Sequence, residues 1–400
     1  MCTYVKASKI YCVEGVKSGF LKLEDDKFAG IYEKIPYSEA YTDYDGYSII
    51  PGIFDTHNHG IMGYSVKNSE AVDYLEEIRG YIKALPAYGV TMVFPTIMDG
   101  LGSKEIAQAA DEKSEGAAAI AGIHSEGPYL NRVGEKGRPK PYPEVSIKLV
   151  ENMIEESGGK VKLFALAPEI PGTDKILHYL LQKNITAAIA HSNCSAEMAR
   201  KAIDEGITVA THLGNVMTGI HHRDIGILGA CLLDKRVDCE LVCDGIHICN
   251  DMLELILNVK DNNRIMIISD GTSFGGLNHA SGMYNLGGNL LKVERDGRVL
   301  DEDGRINGSS KTVMDGMRNL VKNLKIPLES VWPMASLNPC IKYGFSDRKG
   351  SIESGKDADF VVIDDEFNVI STFIAGKKVF SKEQKQWMIN PDFEKLHRLD

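Results

Sequence analysis

No two cysteines of this chain stand as CxxC, no GxGxxG turn follows its first strand, and no GxxxxGK[ST] loop occurs. These gaps disfavour a zinc ribbon, a dinucleotide-binding Rossmann unit and a phosphate-cradling nucleotide loop. Cationic excess is missing too. Lys plus Arg number 45 against 56 Asp plus Glu, for a net charge of -11. That balance disfavours nonspecific nucleic-acid binding, while a local basic pocket for an anionic metabolite stays compatible with it. No apolar run reaches the length of a membrane span, and MCTYVKASKIYC has neither an uninterrupted signal-peptide core nor transit-peptide character. The expectation is a soluble cytoplasmic protein with no membrane partner.

What is present is ordinary in amount and informative in arrangement. Hydrophobic residues make up 43% and charged residues 25% of 400 positions, a globular composition. Such a chain buries roughly 75% of its unfolded surface and divides into two or three units. Eight cysteines in that length do not make a disulfide scaffold. Cys239 and Cys243 share a face if Cys239-Glu240-Leu241-Val242-Cys243 is a strand, and read as small core residues.

The centre of the chain repeats one rhythm of short apolar runs. They are Ser48 to Asp55, Val90 to Thr96, Ala119 to His124, Val161 to Glu169, Thr186 to His191, Ile207 to His212, Cys239 to Asp244 and Arg264 to Asp270. Continuous rather than alternating hydrophobicity marks parallel strands buried on both faces. Helix-compatible stretches at 70–87, 103–113, 145–157, 173–183, 195–205, 250–259 and 309–325 complete the pattern. Eight such units predict an α/β (β/α)8 barrel over 51–350. The ends differ in texture, with short strand-like pieces broken by turns. They predict one small β-sandwich built from 1–50 and 351–385, followed by a tail at 386–400 in which Trp387 and Met388 could dock.

Polar residues stand where the runs stop, and the C-terminal strand ends of a barrel converge on one face. His57 and His59 are two apart, so both imidazoles can point into one pocket. Glu126 has two carboxylate oxygens that could serve two cations. His191, His212 and Asp270 close three further runs, and a carboxylate at Asp270 could bind metal or carry a proton. His124 could share the inward face but stays outside the primary set. Imidazole and carboxylate donors suit one or two divalent cations, zinc first, with iron, manganese or cobalt also accommodated. The bland readings are loop pairs, core histidines and helix caps; recurrence at equivalent strand ends weighs against them.

The string Pro51-Gly52-Ile53-Phe54-Asp55-Thr56-His57-Asn58-His59-Gly60 is followed by His124-Ser125-Glu126-Gly127-Pro128, His191-Ser192-Asn193 and Thr211-His212-Leu213-Gly214-Asn215-Val216-Met217. Asp244-Gly245-Ile246-His247, Ser269-Asp270, Ala335-Ser336-Leu337-Asn338-Pro339 and the stretch from Gly350 to Asp359 come next. Together they resemble the N-acetylglucosamine-6-phosphate deacetylases of the amidohydrolase superfamily, over almost the whole chain. The resemblance implies that Glu126, His191 and His212 hold one metal, and that His57 and His59, with Glu126 and Asp270, support a second. It implies that Asp270 is catalytic, that Asn215 and His247 contact the sugar, and that Arg223 binds phosphate, reaching a neighbouring subunit. A phosphorylated N-acyl amino sugar and a homodimer follow from it.

Around that pattern the chain departs from the family. A Lys-Gly-Ala-His stretch is replaced by Lys136-Gly137-Arg138-Pro139-Lys140, Gly214 replaces an aromatic residue, and Val216 replaces alanine. Arg138 could add an anion contact, and the loop after His212 brings His221, His222 and Arg223 together. The implied reaction is hydrolysis of the N-acetyl amide, with His124 or His247 polarising the oxyanion. Other N-acyl sugars such as N-acetylgalactosamine 6-phosphate, a cyclic amide, a deaminase substrate, or a noncatalytic metal-binding role are the alternatives.

Overall fold

The computed structural model describes residues 2–66, 73–98, 100, 102–131, 142–277 and 281–399. Among them, eight parallel strands form the barrel: Ile53–Asn58, Val90–Ile97, Ile123–Glu126, Val161–Leu166, Thr186–Ile189, Val209–Ala210, Asp238–Val242 and Ile265–Ile268. The eighth strand does not ladder with the first. Closure comes from a parallel bridge between Asn58 and Gly271, with Asp270 N donating to His57 O at 3.1 Å and His59 N to Gly271 O at 2.8 Å. The (β/α)8 reading therefore holds, and the last seam lies beside the polar strand ends.

Each strand is apolar on both sides because each side meets a different core. Phe54, Met92, Phe94, Leu163, Ala165, Ala188 and Met266 fill the barrel interior. Val93, Ile97, Phe164, Ala187 and Ile189, one position out of phase, pack against the helices. The interior is plugged from below: the Phe54 and Phe94 rings lie 5.0 Å apart, and Tyr343 stands 4.8 Å from Phe94. The Ala335 to Pro339 motif is structural here. Ser336 Oγ donates to Gly52 O at 2.6 Å, and Asn338 Nδ2 donates to Ile265 O at 2.7 Å, tying the first and eighth strands.

Several expected elements have other bounds. The run Ser48 to Asp55 is two strands broken at Gly52; Ser48–Pro51 joins a different sheet, and the barrel strand runs on through His57. The helices expected at 103–113, 173–183 and 250–259 are found at Ser103–Glu112, Thr173–Gln182 and Asn250–Val259. Helices Gly226–Leu233 and Leu328–Ala335 were not expected. Gly226–Leu233 is apolar all round, and seven of its residues are buried, so it carries no amphipathic period.

Strands from both ends of the chain make one eight-stranded sheet. It draws on Cys2–Cys12, Gly15–Glu24, Lys27–Tyr32, Tyr41–Asp43 and Ser48–Pro51 from the N-terminal side and on Phe360–Ile363, Val369–Ile374 and Lys377–Ser381 from the C-terminal side. Ser48–Pro51 and Phe360–Ile363 pair directly across it. Asp357 and Asp359 hold this joint. Arg348 Nη2 and Lys349 Nζ reach Asp357 at 3.0 and 3.1 Å, and Asp359 Oδ1 accepts from Ala375 N at 2.8 Å.

A four-stranded excursion, Gly282–Leu286, Asn289–Val293, Arg298–Asp301 and Ile306–Ser309, leaves the barrel after the eighth strand. It was not expected. Its core of Phe274, Tyr284, Leu291, Val293 and Val299 is completed by Phe393 from the short C-terminal helix Phe393–His397. Phe393 is thus the docking aromatic of the last residues, whereas Trp387 is 86% exposed. Among the described residues no helix is long and apolar enough to cross a membrane.

Candidate metal centre

Six side chains from five strand ends converge at the barrel mouth. His57 lies on the first strand and His59 just past it, so their imidazoles share a side while Asn58 points away. Asn58 is held there by its own bonds: Nδ2 donates to Asp55 Oδ2 and Ser269 Oγ, each at 3.0 Å, and Oδ1 accepts from Tyr81 Oη at 2.9 Å. Glu126 closes the third strand, and His191, His212 and Asp270 stand beyond the fifth, sixth and eighth. These three turn off their strands with φ of 45°, 36° and 47°. Non-glycine residues rarely occupy that left-handed region, and strain of order 1 kcal/mol each collects where function requires an orientation.

Glu126 spans the group. Its Oε1 lies 2.7 Å from His191 Nε2 and 3.0 Å from His212 Nε2, and its Oε2 lies 3.2 Å from His59 Nε2 and 3.7 Å from His57 Nε2. Asp270 Oδ1 stands 3.3 Å from His57 Nε2 and 3.5 Å from His59 Nε2. Among the described residues three sets of three could hold a cation, and two of them make up this cluster: His57, His59 and Asp270, and Glu126, His191 and His212.

The donor chemistry fits that group. His59 Nδ1 faces Thr96 O at 2.9 Å, a bond that requires the proton on Nδ1 and leaves a lone pair on Nε2. That lone pair points at His57 Nε2, 3.0 Å away, and at two carboxylates. His191 and His212 also face each other, with Nε2 atoms 3.2 Å apart. Converging lone pairs in a buried space are mutually repulsive unless a cation lies among them. Burial would raise Glu126 and Asp270, but the imidazoles facing each hold them well below the usual carboxylate range.

Acids that support this mouth were not among the site residues expected from sequence, although Asp55 was placed beside the histidine pocket. Asp55 accepts from Ser269 Oγ at 2.6 Å; burial pushes it up to about 6, opposed by Ser269 and Asn58. Glu240 is pushed up to about 7 by burial, opposed by the Thr56 and Thr211 hydroxyls that donate to it. Glu169 accepts from Ser192 Oγ and Asn131 Nδ2, steadying the turn beyond His191. The even spacing of Glu240 inside an apolar run was the available signal, because an acid there must face the barrel interior.

The other singled-out residues scatter around the mouth. His124 is buried behind His57, with ring centroids 4.7 Å apart; burial and then His57 drive its pKa well below normal, so it is neutral. It forms a third set with His57 and Glu240, and its Nε2 has no partner among the described residues. His247 Nδ1 meets Asp244 Oδ2 at 2.8 Å; burial lowers its pKa, but that bond leaves it raised, and Nε2 has no partner among the described residues. Asn215 and Val216 follow His212, and Val216 has a φ of 51°, strained for a β-branched residue. His222 and Arg223 are exposed. Among the described residues no ion pair joins Arg223 to Asp224, whose Oδ1 accepts from Ala196 N and Gly226 N. Arg138 lies outside the described residues. Cys239 and Cys243 are buried in the apolar core, apart from these sets.

Gly60 shows how closely the loops approach here. A Cβ would fall 2.4 Å from Tyr64 O and 2.7 Å from Ser273 N, both backbone atoms. Gly60→Ala is therefore expected to destabilise by about 1–3 kcal/mol through overpacking. Thermal unfolding checks it, and an unchanged Tm would mean that the backbone yields freely.

The amidohydrolase family profile matches residues 48–379. The chain is 30% identical to N-acetylglucosamine-6-phosphate deacetylase of Bacillus subtilis over 93% of its own length and 96% of the relative's. It is 31% identical to N-acetylgalactosamine-6-phosphate deacetylase of Escherichia coli O157:H7, over 94% and 99%. The crystal structure of N-acetylglucosamine-6-phosphate deacetylase from Thermotoga maritima superposes with a TM-score of 0.79 at 27% identity, covering 96% of this chain and 100% of that one. With the fold and sequence in agreement along the whole barrel, the chain belongs to the amidohydrolase family, in the group of N-acetylglucosamine-6-phosphate deacetylases, and is a metal-dependent hydrolase.

Proposed function

We propose that this chain hydrolyses the N-acetyl amide of N-acetylglucosamine 6-phosphate, giving glucosamine 6-phosphate and acetate. The observation that carries this reading is the cluster in which Glu126 touches two histidine pairs with Asp270 alongside, in a chain of this family. Glu126, His191 and His212 would hold one divalent cation, and His57, His59 and Asp270 a second shared with Glu126. When bound, such a cation lowers the pKa of water towards neutrality and polarises the amide carbonyl. Zinc is our first assignment; iron, manganese and cobalt accept the same donors.

Asp270, held ionised, takes the proton of the attacking water on its carboxylate and passes it to the amide nitrogen as the C–N bond breaks. His247, steadied by Asp244, presents Nε2 to a substrate oxygen. His124 lies behind His57 and keeps that imidazole in place from the barrel side. Asn215 and Val216 flank the sugar, with His222, Arg223 and Arg138 supplying the phosphate end. The exposed Arg223 suits a homodimer in which it reaches the partner's site. A phosphorylated substrate, unable to cross membranes, suits a cytoplasmic enzyme.

Acetate release from N-acetylglucosamine 6-phosphate and from the unphosphorylated sugar tests this reading. The phosphorylated sugar is expected to be preferred, and Arg223→Gln to raise its KM by about 10- to 100-fold, the loss of one charged hydrogen bond, with kcat little changed. Equal rates on both sugars would remove the phosphate from recognition. N-acetylgalactosamine 6-phosphate is the second reading, supported by the similar identity to a galactosamine deacetylase, and belongs in the same assay.

A further inference from the structure

We infer that the acyl side of this site takes N-acyl chains longer than acetyl, an inference that rests on the deacylase reading above. A cavity of about 340 Å³ opens beside His59. Its walls include Phe274, Leu286, Leu291, Phe393 and His397. An acetyl methyl fills little more than a water molecule, so this space exceeds what an acetyl chain requires.

The cavity also lies on the appropriate side. The candidate sugar contacts Asn215, Arg223 and His247 come from the loops after the sixth and seventh strands. The cavity is built from loops after the first and eighth strands, through Gly63, Ser65 and Thr272 to Phe274. A trans amide directs its acyl chain and its N-substituent away from each other. With the carbonyl over the metal cluster and the sugar towards Asn215, the acyl chain is directed at His59 and the space beyond.

The far wall is a fixed part of the molecule. Asn390 N donates to Met62 O at 2.9 Å, and Leu399 N donates to Met283 O at 2.9 Å. Phe393 packs 5.4 Å from Phe274, and His397 Nδ1 lies 3.1 Å from Asn285 O. The C-terminal helix thus supplies Phe393 and His397 to a cavity of mixed apolar and polar lining that borders the cluster at His59. The chemistry is unchanged: one water adds its oxygen to the acyl carbon, the C–N bond breaks, and a longer carboxylate leaves with the free amine.

The test measures amine release by the metal-loaded full-length enzyme from N-acetyl-, N-propionyl-, N-butyryl- and N-hexanoyl-glucosamine 6-phosphate. A pocket fitted to acetyl would lose about 10- to 200-fold for each added methylene. The expected result is a kcat/KM for N-butyryl within about tenfold of that for N-acetyl. Leu286→Trp, on the half-buried rim, is expected to lower the butyryl-to-acetyl ratio by at least about tenfold; Asn289→Trp repeats the test if that variant does not fold. Acetyl turnover with N-butyryl more than about 100-fold slower, or a ratio that neither tryptophan moves, overturns the acyl-pocket inference alone. No turnover of any of the four sugars overturns the deacylase reading itself.

Discussion

Asp270→Asn is expected to lower kcat by about 10³-fold, inside the 10²- to 10⁴-fold range of a positioned acid–base group. Asparagine preserves the shape but has neither the charge nor the basicity to take a proton from water near neutral pH. The backbone bonds that seat the residue remain: Asp270 N to His57 O, and Ser309 N to Asp270 O at 3.1 Å. Tm should therefore stay close to that of the parent enzyme. Metal content should retain the equivalent proposed for Glu126, His191 and His212. A folded, metal-loaded variant keeping about a tenth or more of the parent kcat would remove Asp270 from the proton transfer.

Glu126→Gln should strip metal more completely than any single histidine change. Glu126 faces His191 and His212 with one oxygen, and His57 and His59 with the other. A glutamine offers one neutral oxygen, and its NH2 group donates hydrogen bonds to imidazole nitrogens but cannot ligate a cation. Elemental analysis should find both equivalents depleted and activity reduced by about 10³-fold or more, comparable to losing Lewis-acid assistance worth several kcal/mol. The paired variant His57→Asn with His59→Asn should lose one equivalent and keep the other. Chelation should lower Tm reversibly, since a ligand present at 1,000 times its Kd stabilises by about 4 kcal/mol. Full metal occupancy in Glu126→Gln would refute the bridging role.

The barrel was legible because a parallel strand covered on both faces is apolar at every position. Met92, Val93 and Phe94 are all buried, alternately against the interior and the helices. Residues polar enough to end such a run are conspicuous, so His57, Glu126, His191, His212 and Asp270 stood out before any coordinates. Less could be read of the supporting shell. Glu240 and Asp55 look like interruptions of apolar runs until Thr56, Thr211, Ser269 and Asn58 are seen donating to them.

The strand ends illustrate the same limit. His191, His212 and Asp270 leave their strands in left-handed backbone conformations, which local propensity disfavours and only the surrounding packing holds in place. The sixth strand is two residues long, Val209–Ala210, too short for a periodicity to define. The excursion from Gly282 to Ser309 alternates weakly, because one of its faces is covered by Phe393, more than 80 positions later in the sequence. No local window contains both partners.

Residue order alone determined the fold class and the set of metal-ligand candidates, because hydrophobic period and the chemistry of strand-terminating side chains are local properties. Tertiary structure decided that Ser48–Pro51 and Ile53–Asn58 part company at Gly52, and that Glu126 stands between two histidine pairs. It also decided that the C-terminal helix walls a cavity beside His59. Each of these depends on which distant segments satisfy the same hydrogen bonds and cover the same apolar surface, and that choice is made only when the whole chain packs.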